Sequence, residues 1–160
     1  MTVFPIRPAE EGDVAALDAG LAALSQEIGD PHRATRRELR DGLFGPSACA
    51  HALVAEGDGG LAGLALFTPV FSTVRGGPGV FVSDVWVARG ARGRGLGARL
   101  LAAVSEAAGD GWNARFLRLA VHDDNSAARD VYDRLGFAPV SGETVMVAEG
   151  DAFKRLGRRR

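Results

Sequence analysis

The chain has 160 residues, 46% of them hydrophobic and 24% charged, with a formal net charge of -1. That length suits a single domain spanning residues 1–160 with a core of its own, the composition excludes a disordered or fibrous chain, and the balanced charge gives nucleic acid no general attraction. Cys49 is the only cysteine, so no internal disulfide can form and a reducing cytoplasm is the expected setting. The opening "MTVFPIRPAEEGD" has neither a signal-peptide nor a transit-peptide pattern. No apolar run approaches the roughly 20 residues that cross a bilayer, so no membrane partner is expected.

"VFPIR" reads as a short first strand closed by Pro8. Asp13 is placed to cap a helix carrying Val14, Leu17, Leu21, Leu24 and Ile28 at helical spacing. The polar "GDPHRA" breaks that helix, and Thr35 to Glu38, "TRRE", is a capping-box pattern opening a second one with Leu39 and Leu43 on one side. "ACAHALVAE" and "LAGLALFTPVF" flank "GDGG" as an antiparallel hairpin, with Cys49 expected inside as a small core residue. "GVFVSDVWV" is a long third strand of that region. A helix then buries Leu96, Leu100, Val104 and Ala107. "FLRLAV" reads as a strand, "NSAARDVYDRL" as a helix ended by Gly136, and "TVMVA" as a last strand. The basic tail "KRLGRRR" reads as a solvated end. This order predicts an α/β fold: a mixed, mostly antiparallel central sheet with helices on both faces.

The informative stretch is "VARGARGRGLGARLL", where a strand enters a helix through Gly93, Gly95 and Gly97. Helix N-termini leave N–H groups without internal partners and carry positive potential. Glycines let that backbone approach phosphate oxygens and take φ > 0, and Arg89, Arg92 and Arg94 add charge. A P-loop is excluded because GxxxxGK[ST] is absent. The dinucleotide fingerprint is formally matched by Gly93, Gly95 and Ala98, but it belongs on the first β-α turn of a parallel sheet, and here three strands come first. The diphosphate of coenzyme A and a turn that binds nothing stay open beside it.

Two motifs in order then resemble the GNAT N-acetyltransferase superfamily. Arg92-Gly93-Arg94-Gly95-Leu96-Gly97 is similar to its R-G-x-G-x-G/A diphosphate motif. Asn125, Ala128 and Tyr132, followed by Leu135-Gly136-Phe137, match N-x-x-A-x-x-x-Y and L-G-F. The resemblance covers nearly the whole chain. Upstream, the sequence looks like the diamine (spermidine/spermine) acetyltransferase branch: Phe71-Ser72-Thr73-Val74, Gly77-Pro78-Gly79 and Ser83-Asp84 keep its framework. Phe71, Val74 and Ser83 stand where that branch has tyrosine, tryptophan and glutamate.

The resemblance implies direct transfer of an acetyl group from acetyl-CoA, as co-substrate, to a primary amine, such as a diamine, polyamine or other small amine. It implies that backbone from Gly93 to Ala98, with Arg92, takes the diphosphate. Val85, Trp86 and Val87 would pair with the pantetheine arm like an added strand, and Asn125 and Ala128 would hold the arm from the opposite side. Asn125 could equally be a simple helix N-cap. The Val85 N–H would stabilise the charged thioester oxygen. Tyr132 would be the general acid for the leaving thiolate, against a plain packing role. Asp84 remains as the base, through water, as an attractor of the cationic amine or as a structural residue, since Ser83 cannot serve; strict alternation would put Asp84 on the opposite face from Ser83. Glu27 and Asp30 are weaker candidates for substrate contacts, Trp86 could line the acceptor pocket although a strand tryptophan is more often a packing residue, and His122 reads as a capping residue. No His/Cys spacing suits a metal. A homodimer is also implied. Two rival functions stand beside the enzyme: a non-catalytic acyl-CoA-binding regulatory module and an NAD(P)-dependent oxidoreductase.

Overall fold

A computed structural model describes residues 3–157; the last three arginines of the basic tail lie outside the described residues. The elements run β1 (Ile6–Pro8), α1 (Val14–Ile28), α2 (Arg36–Phe44), β2 (His51–Gly57), β3 (Gly60–Ser72), β4 (Gly77–Val87), α3 (Leu96–Trp112), β5 (Leu117–Leu119), α4 (Ser126–Arg134) and α5 (Asp151–Gly157). The five strands form one sheet in chain order. β1 to β4 are antiparallel neighbours, and β5 lies parallel to β4. The mixed, mostly antiparallel sheet with helices on both faces is therefore the observed fold.

Each face has its own apolar layer. Leu96, Leu100, Leu101, Val104 and Ala108 of α3 pack on Leu53, Phe67, Val80 and Val82. Leu17 and Leu21 of α1 and Leu39 of α2 pack on Ala52, Val54 and Leu64. Burying an aliphatic side chain of this size stabilises the fold by roughly 1.5–3 kcal/mol. Gly20 lets α1 lie against the sheet: a Cβ there would sit 2.7 Å from a Leu64 methyl and 3.1 Å from the Trp86 ring.

Several local expectations shift. Pro8 belongs to β1, opposite Leu53, and an edge strand tolerates a residue without an N–H. The Asp13 side chain does not cap α1. Its carboxylate instead takes the Arg7 guanidinium at 2.7 and 3.1 Å and the Glu10 N–H at 2.8 Å. The Thr35–Glu38 capping box forms as read, with Glu38 N–H on the Thr35 hydroxyl at 3.2 Å and Thr35 N–H on the Glu38 carboxylate at 2.8 Å. Cys49 is exposed, ahead of β2 rather than in the core. In α3 the buried alanine is Ala108, not Ala107. "FLRLAV" pairs only over Leu117–Leu119.

"TVMVA" makes no strand. Val145, Met146 and Val147 are at least three-quarters exposed, and a short helix that sequence did not suggest, α5, follows them. Its apolar composition satisfies a strand pattern, but no strand of this sheet receives it.

The sheet's departure from regularity lies in β4. Phe67 pairs with Val82 and Leu66 with Asp84, so Ser83 is an inserted residue without a partner, a β-bulge. The packing agrees. Val80 and Val82 face α3, and so do Val85 and Val87, a pattern that needs one extra residue between the pairs. Bulges bend and twist a strand. Past Val82, β4 runs on to Val87 while its ladder with β5 stops, leaving a wedge between the two strands.

Candidate active site

Two clefts open on either side of this wedge. The first, about 480 Å³, is lined by Val87 from β4, by Arg92, Gly93, Gly95, Leu96, Gly97 and Ala98 of the turn and α3, and by Val131, Arg134 and Leu135 of α4. Gly93 and Gly95 stand at φ 74° and 71°, left-handed values at which a side chain is strained. Gly95 is the N-cap of α3, and its side provides no capping oxygen. The first N–H groups of α3 thus lack intrahelical acceptors and face a glycine-lined cleft. These residues fit a diphosphate: donors are present, positive potential is present, and no side chain stands in the way.

Among the sequence-predicted residues of this turn, Arg94 does not line the cleft. Its guanidinium lies 5.8 Å from the centre of the Phe4 ring. Arg92 does line it, yet its side chain reaches away: Nε donates to the Val87 carbonyl at 2.9 Å and Nη2 to both Glu27 carboxylate oxygens at 2.8 and 2.6 Å. Arg134 and Val131 escaped sequence reasoning, and Leu135 entered it only through the L-G-F match, without a place in the cleft. Their signal was available, since Val131 and Leu135 fall at i and i+4 on the helix that carries Tyr132.

The second cleft, about 360 Å³, is lined by Leu24, Ile28 and Asp30 at the end of α1, Val82 to Val85 of β4, Leu119 to His122, and Asn125, Ala128 and Tyr132. The bulge corrects one sequence expectation: Ser83 and Asp84 are not on opposed faces but line the same cleft. Burial pushes the Asp84 carboxyl above its ordinary value, with the neighbouring Ser83 hydroxyl and the His32 charge partly offsetting this and Asp30 adding to the rise. Tyr132 is half-buried, tilted against Phe137 at 5.5 Å between ring centres. Burial raises its phenol above the ordinary value near 10, so its Oη holds a proton throughout the neutral range.

Asn125 is the N-cap of α4, its Oδ1 accepting the Ala128 N–H at 3.2 Å. His122 does not cap that helix. Its Nε2 is 3.0 Å from the Asp30 carboxylate, and that contact raises the imidazole pKa. The Trp86 side chain takes the packing role. Its indole packs in the α1 layer beside Gly20 and Leu64, with Nε1 buried and unpaired, and it lines neither cleft. Only its backbone, on the strand beside the wedge, is available to a ligand. No cluster of three potential metal ligands occurs among the described residues, and no helix among them is long and apolar enough to cross a membrane.

Comparison with known proteins agrees with this geometry. The model of the acetyltransferase (GNAT) family matches residues 21–137. Thialysine N-epsilon-acetyltransferases are similar along almost the full length: the Bos taurus protein is 30% identical, covering 98% of each chain, and the Sus scrofa protein is 30% identical, covering 94% of this chain and 95% of its own. Among solved structures, an integron cassette protein from the mobile metagenome of V. cholerae superposes with a TM-score of 0.78 over 99% of this chain and all of its own, at 18% identity, a likeness of fold.

Proposed function

The chain belongs to the acetyltransferase (GNAT) family and is an N-acetyltransferase; on that premise we propose that it moves an acetyl group from acetyl-CoA directly to the primary amine of a small acceptor. One observation carries the reading. A glycine turn suited to diphosphate and a pocket holding a half-buried carboxyl, Asp84, and a protonated phenol, Tyr132, flank the same wedge between β4 and β5.

Bound acetyl-CoA supplies the thioester whose acyl group is transferred. Backbone N–H groups from Gly93 to Ala98 hold its diphosphate, and the open side of β4 at Val85 to Val87 pairs with its extended arm. Asn125 and Ala128 bound the arm from α4. Tyr132, proton held at Oη, donates to the departing sulfur. The Val85 N–H is the donor that steadies developing negative charge on oxygen. Asp84 accepts the ammonium proton, because only a neutral amine has the lone pair that attacks. The chain lines this pocket with two carboxylates, Asp30 and Asp84, which favours a cationic acceptor. Its relatives' named acceptor group, the epsilon amine of thialysine, is of that kind.

The test is thiol release from acetyl-CoA in the presence of a panel of amines: diamines, polyamines, thialysine, amino acids and aminoglycosides. Turnover with at least one cationic primary amine supports the reading. Coenzyme A binding without any turnover favours the regulatory module, and NAD(P) binding without coenzyme A binding favours the oxidoreductase. Homodimer formation is part of the proposal; the uncovered run Val145 to Val147 supports it, and light scattering of the purified chain checks it.

A further inference from the structure

The end of α1 is tied to both lips of the site. Glu27, on its last turn, takes Arg92 at 2.8 and 2.6 Å. Asp30, two residues past the helix, meets His122 at 3.0 Å. The first contact reaches the diphosphate turn and the second reaches the loop before α4. Between them lie Ile28 and, one turn earlier, Leu24, which form the α1 wall of the second cleft.

The two ties differ in geometry. The Asp30–His122 pair is a single contact between half-exposed side chains, whose sides are 46% and 47% exposed. Contacts of that kind contribute little in water. In the Glu27–Arg92 contact one guanidinium nitrogen, Nη2, donates to both carboxylate oxygens, and Glu27 is the least exposed of the four partners at 29%. The guanidinium is further fixed by its Nε on the Val87 carbonyl, at the point where β4 enters the turn. With Nε and Nη2 engaged on different partners, the planar guanidinium is held in orientation as well as in distance. A displacement of the turn therefore moves Glu27, and Glu27 carries Leu24 and Ile28 with it.

We propose that Glu27 is a positioning residue that couples the two clefts: through Arg92 it makes the spacing of the acceptor wall depend on whether the diphosphate turn is occupied. The proposal rests on the functional reading above, in that coenzyme A is taken as the ligand of the turn. Coupling of this kind is a free energy shared between two sites and is measured as a change at one on filling the other.

Backbone hydrogen exchange on the full chain, with and without coenzyme A, tests it without needing the acceptor's identity. In the wild type, coenzyme A slows exchange at residues 93–98 directly and at residues 24–30 by about fivefold or more, the lower end of ordinary coupling factors. Glu27→Gln keeps the protection at 93–98, while the effect at 24–30 shrinks to within about twofold. Glu27→Asp, which keeps the charge on a shorter arm, gives an intermediate effect. Asp30→Asn, which removes the other tie, leaves the response at 24–30 unchanged. Equal protection of 24–30 in the wild type and Glu27→Gln overturns the inference alone, as does its absence from a wild type protected at 93–98. A wild type without protection at 93–98 overturns the functional reading and the inference with it.

Discussion

Replacing Gly95 by valine separates a folding effect from a binding effect. At φ 71°, Gly95 is in the left-handed region, and a Cβ built there has no heavy atom within 4 Å. The cost to the fold is thus conformational rather than steric, roughly 1–2 kcal/mol for a left-handed L residue and somewhat more for a β-branched one. For a chain of this size that corresponds to a melting-temperature drop of about 2–8 °C, small enough to leave the protein folded at 25 °C. The open space around the Cβ is the cleft itself, so the added side chain occupies ground where diphosphate oxygens must approach the N–H groups of α3. Isothermal titration should show coenzyme A affinity falling by about a hundredfold or more, the equivalent of losing two or three charge-assisted hydrogen bonds. Gly97→Ala is the control. Gly97 has helical backbone, its Cβ would meet only a Val87 methyl at 3.9 Å, and alanine should stabilise α3 by up to about 1 kcal/mol. Coenzyme A affinity within about threefold of wild type in a folded Gly95→Val protein refutes the assignment of the turn.

Tyr132→Phe should lower kcat by about a hundredfold or more while leaving coenzyme A affinity unchanged, since the ring and its contact with Phe137 remain; steady-state kinetics and titration read the two separately. The raised pKa of Asp84 makes the base inactive at low pH, so kcat/KM should climb with pH through a midpoint above the ordinary carboxylate value near 3.9, and Asp84→Asn should abolish that limb. The same carboxyl binds its proton more tightly folded than unfolded, so its contribution to stability falls as pH rises through the raised value; Asp84→Asn should therefore melt at or above the wild-type temperature at pH 8. His122 should titrate above 6.5 in an NMR experiment, because Asp30 stabilises its charged form. That pair's contribution is whole below the unfolded imidazole value and is lost as pH rises through the folded one; Asp30→Asn should lower the midpoint, with Asp123 and Asp124 still favouring the charged form.

Parts of this site were legible because local chemistry alone settles them. Gly93 and Gly95 are at positive φ, as glycines between a strand and a helix suggest, and Asn125 caps α4 with its own side chain. The Thr35–Glu38 box is equally local. Long-range facts were not legible. Nothing in "RGRGLG" says that Arg92 turns to a glutamate 65 residues away while Arg94 turns to the Phe4 ring; both are arginines of one turn, and their partners come from opposite layers. Strand position suggested that Trp86 packs, but not against what: its ring is claimed by α1, which approaches closely because residue 20 has no side chain. "TVMVA" shows the converse error. An apolar run reports a need for cover, and it does not say which surface provides it.

The bulge at Ser83 explains most about the site and was hidden for a definite reason. Period-two reading assumes that no residue is inserted, and under that assumption Ser83 and Asp84 point to opposite faces. One inserted residue changes three things together. It brings both side chains to a single cleft, it returns Val85 and Val87 to the α3 face, and it ends the ladder with β5 after Val82. The wedge, the carboxyl and the strand edge beside it are therefore consequences of one local irregularity. Restoring regular pairing by deleting Ser83 should close the wedge and remove coenzyme A binding even though Gly93 to Ala98, Asp84 and Tyr132 are all retained. A folded deletion variant that still binds coenzyme A at wild-type affinity would show that the turn alone suffices and that the wedge is incidental to holding the ligand.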